Sequence, residues 1–287
     1  MEQAIIDLYD EYTRVPLARR TFVARITALV GGTVAASVLL PLLENSYALS
    51  AMVSEDDGRL EISRVSYDGS GGKISGYLAK PQYGVDLPAV VVVHENRGLN
   101  PHIEDVVRRL ALEGFLAFAP DMLSGVGGTP ADPDKARSLI GALDPEIVFT
   151  DFVAAVPYLM ARPDATGRVG CVGFGWGGAV ANWLAVRSPG LASADSYYGR
   201  QPGAEDVRKI RAKLLLHYAG LDKPINAGIA EFEAALKKEE VRYDLHIYEG
   251  ADHGFSNDTN AARYNSDAAG LAWGRTIGFL KKSLYLP

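Results

Sequence analysis

Between residues 60 and 250, short apolar runs alternate with stretches whose apolar residues recur at helical spacing. Leu60–Tyr67 and Ile74–Ala79 alternate well enough to predict two antiparallel strands, joined by the hairpin Asp68-Gly69-Ser70-Gly71-Gly72. Pro88 to His94 is instead a continuous valine-rich run, the pattern of a strand buried on both faces. Apolar residues at 103, 106, 107 and 110 then predict a helix over Pro101–Glu113, with proline near its start. The alternation continues with strands over Phe115–Ala119, Val169–Gly173, Ala192–Tyr198, Lys213–Tyr218 and Arg242–Tyr248. Helices are predicted over Asp132–Leu143, Pro145–Ala161, Asn226–Lys238 and Ala261–Leu284. Strands alternating with helices imply an α/β domain over residues 55–287, with a mostly parallel sheet covered on both faces.

The first 50 residues follow another pattern. Arg19-Arg20 precedes an uncharged apolar stretch from Ile26 to Leu43, and Ser46-Tyr47-Ala48 then places small residues as a signal peptidase requires. This combination is that of a twin-arginine (Tat) export leader, which predicts a periplasmic protein. A packed N-terminal helix in a cytoplasmic protein and an uncleaved membrane anchor are the alternatives. Gly31, Gly32 and Pro41 make the stretch a poor membrane span, so no stable insertion is expected.

Composition narrows the function classes. The chain of 287 residues is 48 % hydrophobic and 22 % charged, which suits a large buried core. A net charge of −6 argues against a nucleic-acid partner, which needs basic stripes. The single cysteine, Cys171, excludes an internal disulfide and a CxxC metal site, and His94, His102, His217 and His246 lack ligand spacing. Neither metal nor cofactor is expected, and oligomeric state is not legible.

The candidate chemistry lies at 168–178, Arg-Val-Gly-Cys-Val-Gly-Phe-Gly-Trp-Gly-Gly. A strand that ends in such a glycine-rich elbow before a helix is how a nucleophile is raised above a sheet, with small residues two before and two after it. Gly173 and Gly177 fill those flanks, so the nucleophile position is 175, and it holds glycine. In the chain order of such sites an acid and then a histidine follow. Asp222 directly follows the Lys213–Tyr218 strand and His253 follows the last strand, both at strand C-terminal ends, where α/β sheets place ligands. Cys171 cannot replace the missing nucleophile, because it lies four residues back, roughly 13 Å away at strand rise.

With His94-Glu95-Asn96-Arg97-Gly98-Leu99-Asn100-Pro101-His102-Ile103, Tyr197-Tyr198-Gly199-Arg200-Gln201-Pro202, Ala219-Gly220-Leu221-Asp222 and Ala251-Asp252-His253-Gly254-Phe255, the chain from about 60 to 285 resembles the dienelactone hydrolase (carboxymethylenebutenolidase-like) family. The resemblance implies an α/β-hydrolase fold and a nucleophile–His–Asp triad at 175, His253 and Asp222. It also implies a small ester or lactone substrate and no cofactor. Glu95 would contact the resting nucleophile, and the backbone N–H groups of Asn96 and Trp176 would form the oxyanion hole. Tyr198 would line the pocket, with Arg200 and Arg97 pairing with an anionic substrate group. Family members carry Cys, less often Ser, where this chain has Gly175. Three accounts of the glycine stand open: an engineered knock-out, a natural loss that leaves a binding protein, and hydrolysis by a water that His253 and Glu95 activate.

Overall fold

The computed structural model describes residues 2–14, 17–44, 46 and 51–285. Three helices come first: α1 (Gln3–Arg14), α2 (Arg19–Leu29) and α3 (Thr33–Leu43). The α/β body follows as β1 (Leu60–Gly69), β2 (Gly72–Pro81), β3 (Leu87–Val93), α4 (Pro101–Leu112), β4 (Leu116–Pro120), α5 (Pro133–Gly141), α6 (Pro145–Met160) and β5 (Ala165–Phe174). It ends with α7 (Trp176–Arg187), β6 (Ser193–Tyr197), β7 (Lys213–Ala219), α8 (Lys223–Asn226), α9 (Ile229–Lys238), β8 (Tyr243–Tyr248) and α10 (Ser266–Leu284).

One sheet runs in the order β1-β2-β4-β3-β5-β6-β7-β8. The predicted hairpin is there, with Leu60 opposite Pro81 and Gly69 opposite Gly72. β2 pairs antiparallel with β4, and every later pairing is parallel. The valine run of β3 is buried throughout because successive side chains serve opposite faces. Ala89, Val91 and Val93 enter the core beside α6 and α7, whereas Val90 and Val92 enter the one beside α4 and α10. Burying both faces fixes the register, since a one-residue slip would exchange the two sets.

Some boundaries differ from the sequence pattern. The predicted Asn226–Lys238 helix begins later, as α9 at Ile229 after Gly228, and Asn226 instead closes the short separate helix α8. α10 begins at Ser266 rather than Ala261, where Asn265 accepts a hydrogen bond from the Ala268 N–H and sets the start. Residues 257–264 form consecutive turns instead, with Asn257 Oδ1 accepting from both the N–H and the hydroxyl of Thr259.

The N-terminal segment forms a three-helix cap with its own apolar cluster. Ile5, Leu8, Tyr9 and Tyr12 of α1 pack with Phe22, Ile26, Ala36 and Leu43, and Ala262 packs against them from the body. The rings of Tyr12 and Phe22 stack at 4.2 Å. α1 meets the body largely through polar groups: Gln3 donates to Asp252 at 2.7 Å, Arg97 to the Tyr9 hydroxyl at 2.8 Å and Arg263 to Asp10 at 2.6 Å. Arg19 of the twin-arginine pair bridges Asp134 and Glu44 at 2.7 and 2.6 Å. Among the described residues no single helix is long and apolar enough to cross a membrane; α2 and α3 pass that test only as a pair bent by 118°. Tyr47 and Ala48 of the expected peptidase site lie outside the described residues.

Candidate active site

β5 delivers the chain to Gly175, which links it to α7 with φ 56° and ψ −110°. That positive φ is strained for any residue with a side chain. The flanking glycines answer to space. A Cβ at Gly173 would lie 2.0 Å from the Gly177 carbonyl oxygen, and one at Gly177 would lie 2.4 Å from those of Val93 and His94. Position 175 is different. A Cβ there would meet His253 Nε2 at 3.4 Å and the Tyr198 ring at 3.7 Å, ordinary contact distances.

β7 ends beside Asp222, which starts α8 by accepting from the Ile225 N–H at 3.4 Å. The loop after β8 brings His253 Nδ1 to 2.6 Å from Asp222 Oδ2. The Asp222 side chain is wholly buried, and its other oxygen faces Arg14 Nη1 of α1 at 2.8 Å. Burial pushes the Asp222 carboxyl upward, but the hydrogen bond and charge of His253, joined by those of Arg14, outweigh it and hold the group below the usual carboxylate range.

The segment after β3 supplies Glu95, Asn96 and Arg97. Glu95 Oε2 accepts from Asn257 Nδ2 at 2.9 Å, and Asn96 Nδ2 donates to the Thr13 carbonyl at 2.5 Å. Trp176 is the first residue of α7, so its N–H has no acceptor within its own helix. Its indole stacks on His94 at 5.4 Å and 9°. Tyr198 has φ 39°, shares a 2.8 Å hydrogen bond with Ser256 Oγ and places its ring 4.8 Å from that of His253. Burial pushes its phenol far above the ordinary value.

Glu95, Asn96, Arg97, Gly175, Trp176, Tyr198, Arg200 and His253 line one cavity of about 310 Å³, and Asp222 stands behind His253. Arg97 is not a surface arginine; it is buried against Tyr9, whereas Arg200 is exposed at the rim. Thr13, Arg14 and Arg263 also line the cavity, and Asn257 braces it from behind Glu95. None of these four stands out in the sequence. Thr13 and Arg14 fall in a stretch with the character of a leader, and Asn257 and Arg263 fall in one whose spacing suggests a helix.

The other polar candidates are engaged in the fold. His94 Nδ1 lies 2.7 Å from the Glu95 carbonyl, His217 Nδ1 lies 2.8 Å from the Tyr248 hydroxyl and His102 Nδ1 lies 3.1 Å from Asp258. Burial pushes the Cys171 thiol upward, which leaves it inert inside the sheet. Among the described residues no three potential ligands converge on a metal position.

A profile of the Dienelactone hydrolase family matches residues 74–284. The chain belongs to the dienelactone hydrolase family. This is a family of hydrolases that act on esters and lactones. A putative carboxymethylenebutenolidase of Saccharolobus solfataricus is 32 % identical over 256 residues, covering 76 % of this chain and 97 % of that protein. A putative hydrolase fragment, YghX, of Escherichia coli is 48 % identical over 113 residues, covering 38 % of this chain and 97 % of the fragment. The crystal structure of a putative dienelactone hydrolase from Klebsiella pneumoniae superposes with a TM-score of 0.71 at 26 % identity, over 78 % of this chain and 99 % of that one. The dienelactone hydrolase match begins after the cap and spans every strand from β3 onward.

Proposed function

We propose that the cavity hydrolyses small carboxylic esters or lactones through a nucleophile at position 175, with His253 as base and Asp222 as the acid that orients it. The observation that carries this reading is the 3.4 Å between a Cβ at 175 and His253 Nε2. A thiol or hydroxyl on that carbon reaches the imidazole and passes it a proton as the oxygen or sulfur attacks the carbonyl. Asp222 on Nδ1 fixes the tautomer that leaves Nε2 free to accept. The N–H groups of Asn96 and Trp176 hold the developing oxyanion, His253 returns its proton to the leaving alcohol, and water releases the acid by the same route in reverse. Arg200 at the rim pairs with an anionic group on the substrate.

Gly175 removes the first of these steps and leaves the rest of the pocket in place. In this chain the site therefore binds its ester and turns it over poorly, as a knocked-out nucleophile would have it. A second reading rests on Glu95, whose carboxylate shares the cavity with His253 and suits activation of a water as the direct nucleophile. Comparing the chain with its Gly175→Cys variant on a panel of aryl esters and lactones separates the two. A large gain in the variant supports the missing nucleophile; efficient turnover by the glycine form with no gain supports water attack. Binding without turnover in either form identifies a binding protein.

A further inference from the structure

Asp222 is held from two sides, and the two holds come from different parts of the chain. His253 takes Oδ2 from within the body, and Arg14 takes Oδ1 from α1, at 2.6 and 2.8 Å. Arg14 lies 60 residues ahead of the start of the family match at 74, so nothing in the family domain supplies this contact. The carboxylate is wholly buried, and among the described residues the one other donor to Oδ1 is the Ile225 N–H at 3.4 Å. A buried charge with so few donors depends on each of them.

We propose that Arg14 is a positioning residue for the Asp222–His253 pair, and that α1 is thereby a working wall of the active site. The proposal rests on the reading of this cavity as a hydrolase site. Four further contacts set where Arg14 stands. Asp10, one turn back, lies 3.4 Å from Arg14 and 2.6 Å from Arg263, the Thr13 carbonyl accepts from Asn96, and the Tyr9 hydroxyl accepts from Arg97. The last turn of α1 is therefore tied at once to the triad acid and to the segment that carries the oxyanion N–H. Among the described residues, the charged and titratable groups around the pair are Arg14, Asp10, Arg263, Arg97, Arg200, Glu95, Tyr198 and Asp252, the last engaged by Gln3. Only Arg14 among them bonds to Asp222.

The guanidinium offsets the carboxylate's charge and so weakens its hold on a protonated imidazole. Without it the pair keeps its shared proton to higher pH. In the Gly175→Cys background, Arg14→Met should lower kcat/KM about tenfold through looser positioning and move the acid limb of the pH profile up by about one pH unit. Arg14→Lys, which keeps the charge, should recover most of both. An unmoved acid limb, with activity falling only as far as the folded fraction, overturns the proposal. If Gly175→Cys hydrolyses no ester or lactone, the functional reading fails, yet Arg14 can still be judged. An NMR titration of the imidazole ring protons in the unsubstituted chain and in Arg14→Met reads the same midpoint without any turnover. A midpoint that rises supports the proposal, and one that stays overturns it. Should Arg14→Met fail to fold, Arg14→Gln, a donor without the charge, gives the same reading.

Discussion

Asn257 donates a 2.9 Å hydrogen bond to Glu95 and so ties the loop that carries His253 to the segment that carries Asn96. Asn257 is buried, and its oxygen also serves Thr259. Asn257→Ala should cost about 1–3 kcal/mol, the usual result of stranding buried partners. Asn257→Asp should do something more specific. It sets two carboxylates face to face, so one carboxyl is raised in the folded state. A raised acid binds its proton more tightly folded than unfolded, so this variant loses stability as pH rises through the carboxylate range. Urea midpoints at pH 4.5 and 7.5 check it: the deficit against the parent should widen at the higher pH.

Gly175→Cys should raise ester or lactone hydrolysis by roughly 10³-fold or more, and His253→Ala in that background should abolish the gain. At φ 56° the added side chain carries a conformational cost of about 1–3 kcal/mol. A modest drop in Tm beside a large rise in kcat is therefore the expected pair of results. A folded variant with no gain on any substrate refutes the nucleophile position.

Asp222 should leave its mark on acid stability. Its carboxyl is depressed in the fold from a reference near 3.8, so its contribution is present above that pH and is lost as pH falls through the lower folded value. Asp222→Asn should destabilise the protein at pH 6 and matter progressively less below about pH 4. Equilibrium denaturation of both forms across pH 3–6 measures this. Parallel curves over that range would refute it.

The alternation of valine runs and helical spacing made the sheet legible, because a doubly buried strand such as β3 cannot hide its composition. The elbow was legible too: close backbone contact at 173 and 177 admits only glycine. Asp222 and His253 could be picked out because a strand end followed by a loop is where such groups stand. Asn257 and Arg14 could not. Each matters through a single partner far away in the chain, Glu95 and Asp222, and a long-range polar pair leaves no periodicity. The packing of the N-terminal segment was hidden for a related reason. Its apolar residues pack against one another, so the same composition serves an export signal and a folded cap.

Export through the twin-arginine route is the rival proposal for the N-terminal segment, since a processed protein would work without α1. In a bacterium with a working Tat system the chain should reach the periplasm and lose about 48 residues. Fractionation and intact mass settle the matter, and full-length protein confined to the cytoplasm would sink it. Arg19 is occupied by Asp134 and Glu44 in the folded cap, so recognition of the pair would have to precede docking. Cleavage would also take Arg14 away from Asp222, and the processed and unprocessed forms should differ in their acid limbs.

The cap's separate apolar cluster means that the molecule need not open all at once. Three short helices around a few aromatic and aliphatic side chains form a much smaller cooperative unit than the sheet with its two cores. Such a unit opens at lower free energy than the whole. Amides of α1 should accordingly exchange with deuterium well ahead of those in β3 and β5. Since α1 walls the cavity, each such opening is also a moment at which a bulky ester can enter or its acid can leave. Turnover of large substrates would then follow the breathing of the cap, while small ones, passing through the standing mouth, would not.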